Sequence, residues 1–463
     1  MKKIIYIISI ILVIICISSI VYYKFFYNKE NVSNAKDLID QDINIVDDIE
    51  LDSTYISLYK EDILNDAVPE LDDNMIPVIY KDNNWVKANI YEEWYSYEKY
   101  NWANVVYVNN DKLNYYKECD SGTIINMNDI LGFFVWIPRY EYKLFNVDNK
   151  MVDEQIIDIN FISKDIEKKT DAKNGLYYTH PAFTAIYDDG TYELNGFWIA
   201  KFEPSLGSDN VVNILPNKFP IISVNMAKMW EYATSVKDSY NMNITSRNLT
   251  NMEWGAVAYL TQSKYGKVSN TTFKESDRLV FNNNALGTGE TFNKLTTGCS
   301  SGKTSAYAAS SCAYSYDVDY YGTGASSTGT IYGVYDLVGG AWDCVMGIVS
   351  GYPIKDNLGG YKGKLPANQR YYSFVKVGNN MYDRSRGLLG DATREVLSNK
   401  YKYSNGYARS WNGDYAYLAN SSWPWVKRGG AAGCGELSGI FGYGITDAIS
   451  RNDKSFRVVL SEY

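Results

Sequence analysis

Histidine is almost missing from this chain: among 463 residues there is one, His180. A single imidazole removes histidine-rich zinc sites, and Ser-His-Asp hydrolysis built on a second histidine, from consideration. His180 itself, in Tyr178-Thr179-His180-Pro181, reads as a structural turn residue. None of the six cysteines forms a Cys-x-x-Cys pair, so a structural zinc or thioredoxin-like reading has nothing to rest on. Basic side chains are the minority, 45 against 54 acidic ones, for a net charge of -9. That balance argues against nucleic acid as a partner, because phosphate binding needs a basic surface. No small-x-small cleavage site follows the one long apolar run.

What is present is a globular composition, with 46% hydrophobic and 21% charged residues. The length permits two or three domains. Residues 4–23 are almost wholly apolar, with Lys2 and Lys3 before them and Lys24 after. About twenty such residues cross a bilayer core as a helix, so residues 1–27 are expected to be an uncleaved transmembrane anchor with its N-terminus inside. A cleaved signal peptide and lipidation at Cys16 are the rivals. Residues 28–71 are acid-rich and read as a solvated stalk. Short β-rich runs over residues 72–118, broken by Asp82-Asn83-Asn84 and by residues 99–101, read as a small antiparallel β module. Residues 119–463 form the main domain. Within it Cys299 and Cys312 bracket a small-residue loop, a spacing that a disulfide closes in an oxidising compartment. An outward-facing domain is therefore expected.

The main domain opens with a strand over residues 133–142 and has another at 195–203. Met226, Met229, Trp230 and Ala233 recur at helical spacing, with Ser223 or Asn225 as cap. Thr250-x-x-Glu253 is a capping box that opens a second helix. Beyond Lys264 the chain is rich in Gly, Ser, Asn and Tyr, and it ends in a strand over residues 455–460. Two helices with many short strands and long loops indicate an α+β fold. The stretch Tyr332-Gly333-Val334-Tyr335-Asp336-Leu337-Val338-Gly339-Gly340-Ala341-Trp342-Asp343 combines buried-type rings with a Gly-Gly turn, and the rest is expected to organise around it. Arg247, Glu253, Trp254, Trp342 and Arg457 are expected to be structural, as buried rings and paired charges away from any cleft.

Five pieces occur in order: Val135-Trp136-Ile137-Pro138; Lys201-Phe202-Glu203-Pro204-Ser205; Arg247 to Trp254; residues 332–343; and Arg428-Gly429-Gly430 with Phe456-Arg457 at the end. This series resembles the formylglycine-generating enzyme (sulfatase-modifying factor) family, over residues 133–460. The resemblance implies a C-type-lectin-like fold. Residues 254–260 and 455–460 look closer to a surface-protein branch found in low-GC Gram-positive bacteria and their phages.

The resemblance also implies two metal sites. The family's oxidase chemistry uses two cysteines five positions apart, which bind copper. Cys434 matches the first, whereas the second position is Gly439, and Ala431 stands in place of the family's serine. One thiolate alone makes a poor Cu(I) site, so Cys434 is the only catalytic candidate and an incomplete one. The family's structural calcium is held by an Asn and a Glu. Gly340 and Asp343 stand there now, leaving Asp343 as the calcium candidate or as the partner of an arginine. Glu203-Pro204-Ser205 and Trp411-Asn412-Gly413-Asp414 are near misses to lectin sugar motifs and are attributed to chance. No cofactor is expected.

The C-terminal half alternates rings with small polar residues, a mix typical of contact surfaces. Tyr407, Trp411, Tyr415, Tyr417, Trp423 and Trp425 are the ligand-binding candidates. The expectation is a membrane-anchored, extracellular recognition protein with a catalytically degenerate domain, binding a protein or glycan through its C-terminal loop face. A copper- or thiol-dependent oxidase using Cys434 and a structural envelope protein are the alternatives.

Overall fold

A computed structural model describes residues 68–461 apart from 188–189, 269–273, 283–293, 304–311, 353–356, 359–360, 363–364, 367, 381 and 399–407. The expected anchor, nearly all of the expected stalk and Tyr407 lie outside the described residues. Among the described residues no helix is long and apolar enough to cross a membrane. Residues 64–463 form one compact unit. It is mixed α+β, with few helices and many short strands.

The first seven-stranded sheet contains β1 (Ile76–Lys81), β2 (Asn84–Lys87), β3 (Asn104–Val108), β4 (Ile130–Pro138), β5 (Gly196–Ala200), β6 (Thr245–Asn248) and the last strand, β14 (Val458–Ser461). Their order is β6-β14-β5-β4-β3-β1-β2. Residues of β4 and β5 are nearly all buried, which explains why Phe133 to Ile137 is a continuous apolar run without alternation. The separate β module expected over residues 72–118 is corrected here. Strand β3 pairs on one side with β1 and on the other with β4, so the hairpins are one flank of the main sheet. An unpaired β4 edge would leave backbone donors and acceptors open to other chains; β3 closes it. The same segment ends in α1 (Asn110–Glu118), where hairpins were expected.

Lys201 fastens this flank. It is fully buried with no carboxylate partner among the described residues, and its ammonium donates to Asn104 Oδ1 at 2.8 Å, Ile331 O at 2.6 Å and Gly333 O at 2.9 Å. The rings of Trp85 and Tyr335 lie 5.3 and 5.4 Å from it, so three acceptors and two π faces replace the lost water.

Helices α2 (Met226–Ser239) and α3 (Asn251–Thr261) start where local chemistry dictates. Asn225 caps α2 by accepting from Lys228 N, and Thr250 with Glu253 forms a reciprocal capping box on α3. Helix α3 is buried on nearly every face.

The second seven-stranded sheet contains β7 (Trp342–Val349), β8 (Ser373–Val375), β9 (Ala408–Arg409), β10 (Tyr415–Ala416), β11 (Trp425–Arg428), β12 (Tyr443–Thr446) and β13 (Lys454–Ser455). The order is β8-β7-β11-β12-β10-β9, with β13 parallel to β7. Residues 332–343 deliver the chain into β7. Gly339 and Gly340 both have positive φ, +81° and +61°, and a Cβ on Gly339 would lie 2.5 Å from the Asn282 carbonyl oxygen. Only glycine makes that turn without displacing Asn282. Trp342 follows, buried at the start of the strand.

Candidate functional site

Cys434 sits half-buried in the short Ala432–Leu437 turn that follows β11 and the Gly429-Gly430 pair. Burial pushes its thiol up. Cys344, on β7 opposite Lys427 of β11, is fully buried and pushed up to about 12 by burial. Burial thus disfavours the thiolate of each, the form that attacks as a nucleophile. Position 439 is the decisive one. A Cβ on Gly439 would fall directly on the Asp414 carboxylate, so the space a second cysteine needs is already filled. Asp414 is buried, its Oδ2 accepts from Phe441 N at 3.0 Å, and burial pushes its carboxyl up to about 8. The residues present do not fit the copper pair that the resemblance implies.

Asp343 is one half of an ion pair. The fully buried Arg457 donates to Asp343 Oδ2 from Nη2 at 3.1 Å and from Nε at 3.3 Å, and to the main-chain oxygens of Ala200 and Asp336. Beside it, the Asp336 carboxylate accepts from the backbone N–H of Glu203 and Gly298 and from Asn282. Glu203 Oε1 accepts from Ala341 N at 3.1 Å, while Glu203 Oε2, Asp343 Oδ1 and Asn282 Oδ1 have no hydrogen-bond partner among the described residues. Burial, then Asp336 and Asp343, push Glu203 well above the usual carboxylate range, so protonation of Glu203 relieves the crowded trio. Calcium needs six to eight oxygens, and here a guanidinium stands against the one carboxylate the resemblance supplies. Among the described residues no group of three or more His, Cys, Asp and Glu side chains is placed to hold a metal. The calcium candidate does not fit.

The five aromatic candidates among the described residues divide. Trp411 is fully buried, stacked on Phe145 at 5.1 Å with its indole donating to Leu397 O at 3.1 Å. Trp425 is buried against Tyr372. Both are core residues and are withdrawn as ligand contacts, because in a loop-dominated domain rings must fill the interior that regular elements leave empty. Tyr415, Tyr417 and Trp423 do come together: they line one cleft of about 360 Å³. Trp423 is 44% exposed, and the Tyr415 and Tyr417 rings lie 6.0 Å apart.

The rest of the cleft lining is largely polar and was not singled out from sequence. It includes Lys427, Thr446, Asp447, Arg451, Asp453 and Lys454. Arg451 reaches Asp447 at 3.1 Å, Lys454 reaches Asp447 at 3.5 Å, and Lys427 reaches Asp453 at 3.8 Å. Lys427 Nζ also lies 4.3 Å over the Trp342 ring. Burial raises Asp447, but Lys454 and Arg451 outweigh it and hold the carboxyl below its usual range. Burial lowers Lys427. The one sequence signal for this lining is the polar run Thr446-Asp447 to Lys454 just before the final strand.

A second cleft, of about 850 Å³, borders the start of α3. Arg247 and Glu253 line it, although they were expected away from any cleft. They are nonetheless paired, with Nη2–Oε1 at 2.6 Å and Nη1–Oε2 at 2.9 Å, and Glu253 also closes the capping box. His180 is structural: it caps the Pro181–Phe183 turn, Nε2 lies 2.9 Å from Gly390 O, and burial pushes it down to about 3. Cys299 and Cys312 are joined by a disulfide. No family model matches the chain, and no curated protein matches it.

Proposed function

We propose that the chain is a membrane-anchored, outward-facing recognition protein that binds a surface protein or glycan in the cleft lined by Tyr415, Tyr417 and Trp423. The observation that carries this reading is the cleft itself: three rings line it together with a set of ion-paired polar side chains. Rigid rings beside placed polar groups are the usual make-up of a recognition pocket. The 20-residue apolar run near the N-terminus supports the anchor, and the Cys299–Cys312 disulfide supports an oxidising, outward location. The domain is read as a C-type-lectin-like one, of the formylglycine-generating-enzyme type, on the five ordered motifs. It is read as catalytically degenerate because Gly439 faces Asp414 and burial disfavours the thiolate of both cysteines near Lys427. Probing glycan and protein arrays with the full chain tests the reading. Specific ligands lost in Trp423→Ala and Tyr417→Ala are expected; ligands retained in both variants would remove the cleft from the account.

A further inference from the structure

We infer that the ligand of this cleft is an uncharged saccharide, one or two sugar rings long, bound without a metal ion. This rests on the recognition reading and narrows it. The first ground is the state of the charges. Lys427, Arg451 and Lys454 face Asp447 and Asp453, and each is within 3.1–3.8 Å of an opposite charge. An anionic ligand meets cations whose charge Asp447 and Asp453 already offset, and a cationic ligand meets carboxylates whose charge the lysines and arginine offset, so neither gains the full attraction of a bare charge. The excess positive charge is also taken up: Lys427 Nζ stands over the Trp342 ring, and the buried Lys454 is shared among Asp447, Thr446 Oγ1 and the Ile449 carbonyl. A neutral polyol needs no bare charge. Each hydroxyl both donates and accepts, so it bridges a carboxylate oxygen and an ammonium or guanidinium N–H as they stand.

The second ground is the shape of the apolar wall. The face of an aromatic ring is electron-rich, and the C–H-bearing face of a pyranose is its natural complement. Trp423 offers an open ring for stacking, while Tyr415 and Tyr417, half-buried and 6.0 Å apart, form the adjoining floor. A sugar lying on Trp423 has the polar side chains of the same cleft, Asp447 and Arg451 among them, available to its hydroxyls. The third ground is size. A volume of about 360 Å³ is at the lower end of small-molecule pockets and suits one or two sugar rings. Asp447 is held by Arg451 and Lys454, and Asp453 Oδ2 lies 3.8 Å from Lys427, so both carboxylates already face a cation without a metal ion.

Saturation-transfer NMR on the full chain in nanodiscs, without alkyl-glycoside detergent, tests this directly. The probes are lactose, maltotriose and N,N′-diacetylchitobiose, set beside anionic 3′-sialyllactose and galacturonate and cationic glucosamine. At least one neutral sugar is expected to bind, more tightly than the charged probes and unchanged by EDTA. Trp423→Ala should weaken it by about tenfold or more, as for an exposed aromatic anchor. An unchanged melting temperature confirms that variant's fold, and Asp447→Asn is the second variant, expected to weaken the same sugar. Binding only of charged probes, or loss of binding in EDTA, overturns the inference. A protein ligand on the arrays that needs Trp423, with no neutral sugar bound, overturns the inference and leaves the recognition reading standing. No ligand of any class depending on Trp423 overturns both.

Discussion

Single residues decide whether the copper pair implied by the resemblance can be built. Gly439 is the clearest case, because the Asp414 carboxyl occupies the volume its side chain would need. Restoring the family's cysteine by Gly439→Cys is therefore expected to destabilise the fold by about 1–3 kcal/mol through overpacking. The double variant Gly439→Cys/Asp414→Ala should recover much of that loss in a urea titration; recovery absent would mean the two positions do not compete. Asp414 also titrates in a revealing direction. Its carboxyl is pushed from 3.8 to about 8 by burial, so between those values the folded chain holds a proton that the unfolded chain has released. Stability linked to this group is full below about pH 4 and is lost as pH rises toward 8. Asp414→Asn, a neutral isostere of the protonated acid, should flatten the fall in melting temperature between pH 5 and 9. Glu395, pushed up to about 7 by burial, acts in the same direction and leaves a residual slope.

At the scale of elements, the three tryptophans at 411, 423 and 425 look alike in sequence and do different work. Trp411→Ala is expected to cost about 3–5 kcal/mol, as for other fully buried aromatics. Trp423→Ala should change stability by no more than about 0.5 kcal/mol, since much of its ring is already in water. Equal effects on the melting temperature would contradict the placement of the cleft. These contrasts also show what the sequence could reveal. The capping box at Thr250 and Glu253 was legible because it is a contact between residues three apart. Strands β1, β4 and β5 were legible because their apolar runs are nearly continuous. The second sheet was not: β9, β10 and β13 have two residues each, too few to show any period. Which ring of the Tyr/Trp-rich segment reaches solvent is set by pairing between β10, β11 and β12, a long-range fact with no local signature. The flank formed by residues 72–118 was misjudged for a related reason. Its hairpins are local and visible, whereas the β3–β4 pairing and the Lys201 bond to Asn104 are not.

For the whole molecule, two seven-stranded sheets and a buried α3 hold the C-terminal segment rigidly enough to present a shaped cleft. The catalytic centre implied by resemblance is filled, and the ring-lined cleft lies on the same sheet through Lys427 and Trp342. A copper-loaded full chain incubated with a cysteine peptide of sulfatase type should leave the thiol mass unchanged. Conversion to the aldehyde, abolished by Cys434→Ser, would return the chain to the enzymes. The central claim is recognition through the Trp423 cleft. Its most direct test is the dissociation constant of the strongest array ligand, measured for the full chain and for Trp423→Ala. The account predicts weakening by about tenfold or more at an unchanged melting temperature. Equal affinity in the two proteins would contradict it.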